Sequence, residues 1–347
     1  MGHEIDLSYF DIRCDLISDT LENKKIKEIK IKKKNHKSIK IEEVVINSSV
    51  SKEINKKPGI YTTIYFKDIT DYSNRNEVID VLSNELKKIL KRKKLINKKV
   101  LVVGLGNSLS TPDALGPKTI ENIIVTRHLF NLKEVDVEEG FSNVSVFTPG
   151  VYASTGIESF DSLKGIINET HPDYIIVIDS LAASSIEKIN KIIQITDSGI
   201  EPGSGIGNNR KEISLNSLNI PVIAIGIPTV VDAATIVKDT INFLIEKISY
   251  NIANLNNPKE KLINPNLINY LNNGYNLDKE EKKKYLGLLG DLDDEEIKSL
   301  FLEVLSPIGY NFMVTPKEVD FLIDKLSIIL SKSINNVLHS NLNINNN

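Results

Sequence analysis

Two aspartates in this sequence stand where α/β proteins build their chemistry. Asp113 lies in "GLGNSLSTPDALGPK" (104–118), the loop that follows the apolar run "KVLVVGLG" (99–106). Asp179 closes a second apolar run, "YIIVID" (174–179). Ligands of open α/β sheets collect outside the carboxyl ends of the strands, and both residues fall at such ends. A carboxylate leaving a buried strand needs a partner, a metal or a proton, because an isolated buried charge costs several kcal/mol. Two carboxyls within hydrogen-bonding reach share one proton, with one pKa driven up and the other down. That arrangement lets paired aspartates activate water. The plainer alternative has Asp113 capping a helix and Asp179 making structural hydrogen bonds.

Other acidic candidates are weaker. Asp232, in "PTVVDAAT", also sits at a strand end, but an Asp before a helix is a good cap and dipole partner. Asp197, in "TDSG" (196–199), belongs to an Asp-Ser-Gly tripeptide like that of pepsin-like proteases. Those enzymes are all-β and carry the tripeptide twice; here it occurs once, after a strand, and reads as a turn. "VVGLGN" opens like a nucleotide-binding turn, yet neither Gly-Lys-Ser nor a third glycine opening a helix follows. Gly104, Gly106 and Asn107 of this turn are candidate substrate-binding residues. "GIEPGSGIGNNRKE" (199–212) reads either as a surface loop or as one that offers Arg210 and Lys211 to an acidic ligand.

Metal and nucleophile patterns are thin. His3, His36, His128, His171 and His339 are scattered, without His-x-x-x-His or Cys–His spacing. No Gly-x-Ser-x-Gly elbow occurs. The expectation is an enzyme with no metal and no cofactor. Its rivals are a metal-dependent hydrolase using the same aspartates as oxygen ligands, and a non-catalytic nucleotide- or partner-binding α/β protein.

The elements that must position these residues follow from periodicity. Short β-branched runs at 99–106, 174–183, 191–199 and 220–228 alternate with helical patterns at 117–130, 159–170, 185–189 and 231–248. Strands apolar on both faces and alternating with helices predict a three-layer α/β sandwich around a mainly parallel sheet. Isoleucine and lysine alternate through 24–46, predicting a strand pair with one wet face, and "GIYTTIYF" predicts a third strand. Val78, Val81, Leu82, Leu86, Ile89 and Leu90 follow helical spacing. The chain thus divides into an N-terminal β-rich segment with a helix (16–98), a core (99–250), a polar connection (251–284), a C-terminal helical segment (285–338) and a tail (339–347).

Composition narrows the class. The chain has 347 residues, 41% hydrophobic and 26% charged, with a net charge of −3, so nothing pulls it broadly toward nucleic acid. A single cysteine, Cys14, excludes an intrachain disulfide. The N-terminus lacks a signal-peptide core, and no run approaches the roughly 18 apolar residues of a membrane span. A cytoplasmic location is expected, with no membrane partner.

Taken together, "VVGLGN", "TPDALGPK", "VTRHLF", "TPGV", "TGIES", "PGSGIGNNRKE", "AIGIPTVVDA" and "GYNFMVTPKEVD" resemble the germination protease family of endospore-forming bacteria. The resemblance runs from about Ile5 to Leu338. It implies an atypical aspartic endopeptidase that degrades small acid-soluble spore proteins in the spore core, related in fold to hydrogenase-maturation proteases and unlike pepsin. It places the essential aspartates at Asp113 and Asp179. It further implies a homotetramer made as a zymogen, with a propeptide at 1–15 removed by self-cleavage after an acidic residue. "RCDLIS" offers Asp15–Leu16 as that bond, although Ile17 stands where a small residue is usual. Ser180 and Ser184 stand where alanine and arginine are expected, which leaves Arg210 or Lys211 to bind acidic substrates.

Overall fold

The structure is a computed structural model that describes residues 15–24, 29–132, 137–203, 210–257, 277–292, 296–297, 300–301 and 312–341. Most of the expected propeptide, much of the polar connection, residues 204–209 and the tail from 342 lie outside the described residues. The chain divides into two compact units. One draws on Ile12–Ala183, Glu187–Val230 and Thr315–Asn347; the other includes Ser184–Ile186 and Val231–Val314. The division at Val231 falls inside the 99–250 core read from the sequence.

The strands are β1 (Ile31–His36), β2 (Ile39–Ile46), β3 (Gly59–Tyr65), β4 (Val100–Gly104), β5 (Val144–Phe147), β6 (Tyr174–Ala183), β7 (Ile192–Thr196), β8 (Val222–Asp232) and β9 (Met313–Val314). The first eight lie side by side in the order β1-β2-β3-β7-β8-β6-β4-β5. β4 is parallel to both β5 and β6. β1, β2 and β3 pair antiparallel, and β7 runs antiparallel to β3 and β8. The fold is α/β as expected. The parallel order surrounds β4, and the N-terminal strands extend the same sheet antiparallel.

Alternation along β4 and β6 explains the layers. Val100, Val102, Tyr174, Ile176 and Ile178 enter one core, which holds Leu82, Leu86, Ile329 and Leu330. Leu101, Val103, Ile175 and Val177 enter another, with Leu163 and Ile167. Successive side chains of a strand point to opposite faces, so each strand feeds both cores. Helix α1 (Ile17–Lys24), α2 (Ser48–Ile54) and α3 (Tyr72–Lys93) occur in the N-terminal part. The amphipathic pattern from Val78 to Leu90 falls within α3, whose last turn carries Lys91, Arg92 and Lys93 at the negative end of the dipole.

One expected helix is not continuous. The pattern over 117–130 predicts a single helix, but the chain forms α4 (Leu115–Ile120), a break, and a short turn at Arg127–Asn131. Asn335, on the buried C-terminal helix Val319–Leu338, supplies the reason. Its amide donates to Asn122 O (2.9 Å) and accepts from Ile124 N (3.0 Å), taking backbone groups that a helix would pair internally.

In the second unit Asp232 caps the helix Ala233–Ala253, and Val231 and Asp232 pair antiparallel with β9. Among the described residues, no helix is long and apolar enough to cross a membrane.

Candidate active site

β4 and β6 are in register, with Gly104 opposite Ile178, and Leu105 N donates to Ile178 O (2.9 Å). Asp179 is therefore the next residue beyond the last position paired with β4, while the β4 chain turns away into the loop that carries Asp113. β6 itself runs on to Ala183, so Asp179 lies within the strand and not, as the sequence suggested, at its end. That loop folds on itself. Asn107 N donates to Asp113 O (3.0 Å), Asp113 N to Ser110 O (2.8 Å), and Thr229 Oγ1 to Pro112 O (2.7 Å). A short 3-10 turn, Thr111–Asp113, ends on the aspartate.

The glycines make this loop possible. Gly106 has φ +112°, and a Cβ there would lie 2.0 Å from Asp113 O. A Cβ on Gly104 would lie 2.5 Å from Gly116 O, where α4 crosses the strand end. What the two glycines admit is the protein's own backbone, folded so that Asp113 stands near Asp179 of β6.

Asp179 is 7% exposed, and its Oδ1 accepts from Ser180 N (2.9 Å). Burial, then the charges of Asp113 and Asp15, hold its carboxyl well above the usual carboxylate range. Burial likewise pushes the half-buried Asp113 carboxyl up to about 6, against the pull of the Asn107 N–H and the Arg210 guanidinium. Arg210 acts on both carboxyls. Two aspartates raised together beside the Arg210 cation form a pair that holds protons more tightly than ordinary carboxyls do.

A third carboxylate comes from the N-terminal segment. Asp15 Oδ2 accepts from Ala182 N on β6 (3.1 Å), and Asp15 O accepts from both Lys56 Nζ (3.2 Å) and Gln194 Nε2 (3.2 Å). Gln194 Oε1 in turn accepts from Ile17 N (2.7 Å). Leu16 is fully buried against Leu181 and Ile192. Ile17 packs with Val44, Ile46, Val50, Ile54 and Tyr61. Asp19, fully buried, pairs with Lys188. Residues 15–19 are thus held by packing and hydrogen bonds, with the Asp15 carboxylate acting on Asp179.

The remaining candidates separate from this cluster. Lys211 pairs with Asp161 (2.9 Å) and Glu158 (3.4 Å) on the surface. Asp197 accepts from Ile60 N (2.7 Å) and pairs with Lys93 (2.9 Å), tying β3 and α3 to the end of β7. Asp232 accepts from Ala234 N (2.8 Å) and Thr235 Oγ1 (3.2 Å) as a helix cap. Ser180 Oγ is buried without a hydrogen-bond partner. Among the described residues, no three His, Cys, Asp or Glu side chains gather closely enough to hold a metal ion.

Gln194, Lys56 and Lys188 escaped the sequence reading. Gln194 alone left a signal: a polar side chain inside the apolar strand "KIIQIT" must be hydrogen-bonded when buried. Lys56 and Lys188 sit among ordinary surface lysines in sequence.

The model of a family described as "Germination protease" matches residues 13–347. A germination protease of Geobacillus sp. (strain WCH70) is 42% identical, over 99% of this chain and 97% of that one. The germination protease of Priestia megaterium (strain ATCC 12872 / QMB1551) is 42% identical, over 98% and 96%. Among solved structures, the NiFe hydrogenase maturation protease HycI from Thermococcus kodakarensis KOD1 is similar at 17% identity, covering 42% of this chain and 80% of that one, with a TM-score of 0.28.

Proposed function

The chain belongs to the germination protease family, and from that premise we propose that it is a self-processing aspartic endopeptidase that cuts after acidic residues. Its substrates in this reading are small acid-soluble spore proteins, and its first substrate is itself, at Asp15–Leu16. The observation that carries the reading is the position of Asp15: its carboxylate is close enough to Asp179 to raise that group's pKa, while its peptide carbonyl is held by two donors.

Chemistry follows from the raised pair. Asp179, the more deeply buried and pressed by the charge of Asp113, keeps the shared proton. Asp113 takes a proton from water as the water adds to the scissile carbonyl carbon. Asp179 then gives its proton to the departing amine. The Ala182 N–H selects an acidic residue before the scissile bond, and the Leu181–Ile192 pocket an apolar one after it. Residues 1–15 form the propeptide, the working assembly is a homotetramer, and the site of action is the spore core.

The test is incubation of the full chain, followed by N-terminal sequencing, and then addition of a purified small acid-soluble spore protein. A new terminus at Leu16 and cuts after acidic residues are expected, with a loss of at least about 10³-fold in Asp113→Asn and Asp179→Asn. Both activities are expected to be indifferent to chelator. Sensitivity to chelator would make the aspartates metal ligands, and full activity in either variant would remove that residue from the mechanism.

A further inference from the structure

The carbonyl oxygen of Asp15 receives two side-chain donors, Lys56 Nζ and Gln194 Nε2, each at 3.2 Å. A surface carbonyl needs neither. Gln194 is 7% exposed, and its orientation is fixed by both of its contacts. Ile17 N–H requires an oxygen and Asp15 C=O requires an N–H, so only one amide orientation satisfies both. Lys56 follows the left-handed residue Asn55 (φ 52°) that ends α2, and this turn aims its side chain at the segment.

We propose that Gln194 and Lys56 are catalytic residues, forming the oxyanion hole of this enzyme. This deepens the reading of Asp15–Leu16 as the cleaved bond and rests on it. As water adds to the Asp15 carbonyl carbon, the C=O electron pair moves onto oxygen, where the Gln194 amide and the Lys56 ammonium meet the developing charge. The water proton passes to Asp113. Collapse of the adduct restores C=O, breaks the C–N bond and sends the Asp179 proton to the Leu16 nitrogen. One water is consumed, and a carboxyl and an amine are released. Donors pre-aimed at an oxygen that gains charge are worth more in the transition state than in the ground state. Gln194 also spans Asp15 and Ile17, which fixes the register of the peptide on β7.

The experiment compares self-processing rates of the full chain carrying Gln194→Glu, Lys56→Met or Lys56→Arg, across pH, beside Asp113→Asn and Asp179→Asn. Gln194→Glu keeps an acceptor for Ile17 N–H but offers the carbonyl a donor only when protonated. Its rate is expected to fall about 10²–10³-fold at neutral pH and to recover as pH drops. Lys56→Met is expected to lose about 10²-fold, with Lys56→Arg recovering part of it. Thermal melts identify any variant that fails to fold; Lys56, only half-buried, then decides the matter without Gln194. Wild-type rates in Gln194→Glu and Lys56→Met, with the aspartate variants dead, would overturn the oxyanion hole and leave the protease reading standing. Normal processing in the aspartate variants, or no cut at Asp15–Leu16 in the parent chain, would overturn that reading and the hole with it.

Discussion

The two halves of the sheet do different work. Parallel strands β4 and β6 place the acids where their mutual pairing stops: Asp113 in the loop that leaves β4, and Asp179 just past Ile178, the last β6 residue paired with β4. The antiparallel side presents its groups from within the sheet: Gln194 lies in the middle of β7, and the bed for Ile17 comes from β2, β3 and α2. A loop leaving a strand gives proximity without rigidity, and that of Asp113 needs glycines and its own folding to be held. A strand interior is rigid already, which suits it to setting the register of a peptide.

That contrast can be broken experimentally. On the recognition side, Leu16→Ala is expected to cost about 2–5 kcal/mol of unfolding free energy, with Ile17→Ala similar and Ile17→Val nearer about 1 kcal/mol. Denaturant titration of chains blocked by Asp113→Asn would measure this. A negligible loss would mean that the segment is not held as described.

On the chemical side the sign reverses. The folded chain raises Asp113 to about 6 from an ordinary 3.8, so it binds more protons than the unfolded chain as pH climbs through that window. Stability contributed by the neutral form is present at acid pH and lost as pH rises toward 6 and beyond. Asp113→Asn should therefore stabilise the protein at about pH 7 by on the order of 2–3 kcal/mol, with the gain vanishing near about pH 4. Asp197→Asn should do the opposite, costing about 1–2 kcal/mol through its bonds to Ile60 and Lys93. Denaturant titration of both variants at those two pH values checks this; equal signs would show that Asp113 is an ordinary structural acid.

The smallest effect sharpens the boundary of the site. Lys211→Ala should leave the melting temperature and the self-processing rate unchanged, because its partners Glu158 and Asp161 share its exposed surface. Arg210→Ala, by contrast, should shift the pH profile of processing upward, since its charge favours the ionised form of both aspartates.

How far the sequence foretells this arrangement depends on range. β4 and β6 are legible because their consecutive apolar residues permit little else. Asp113 and Asp179 are legible because they break such runs at their ends. The break after α4 is not, since it depends on Asn335, far along the chain, whose amide competes for backbone partners. β5 is short, and "VSVF" alternates too briefly to stand out. The seat of residues 15–19 is assembled from β2, β3, β6, β7 and α2, and no local window contains it.

Burial of Leu16 and Ile17 has a consequence for timing. In the proposed self-cleavage, hydrolysis at Asp15–Leu16 would sever one bond and none of the apolar contacts that seat the two side chains, each worth roughly 1.5–3 kcal/mol. The freshly made amino terminus is therefore born docked, like a key snapped off in its lock. On that proposal activation has two clocks, one for scission and a second for the new terminus to leave its seat. A proposed precursor of this kind is fully clipped before its new terminus is free.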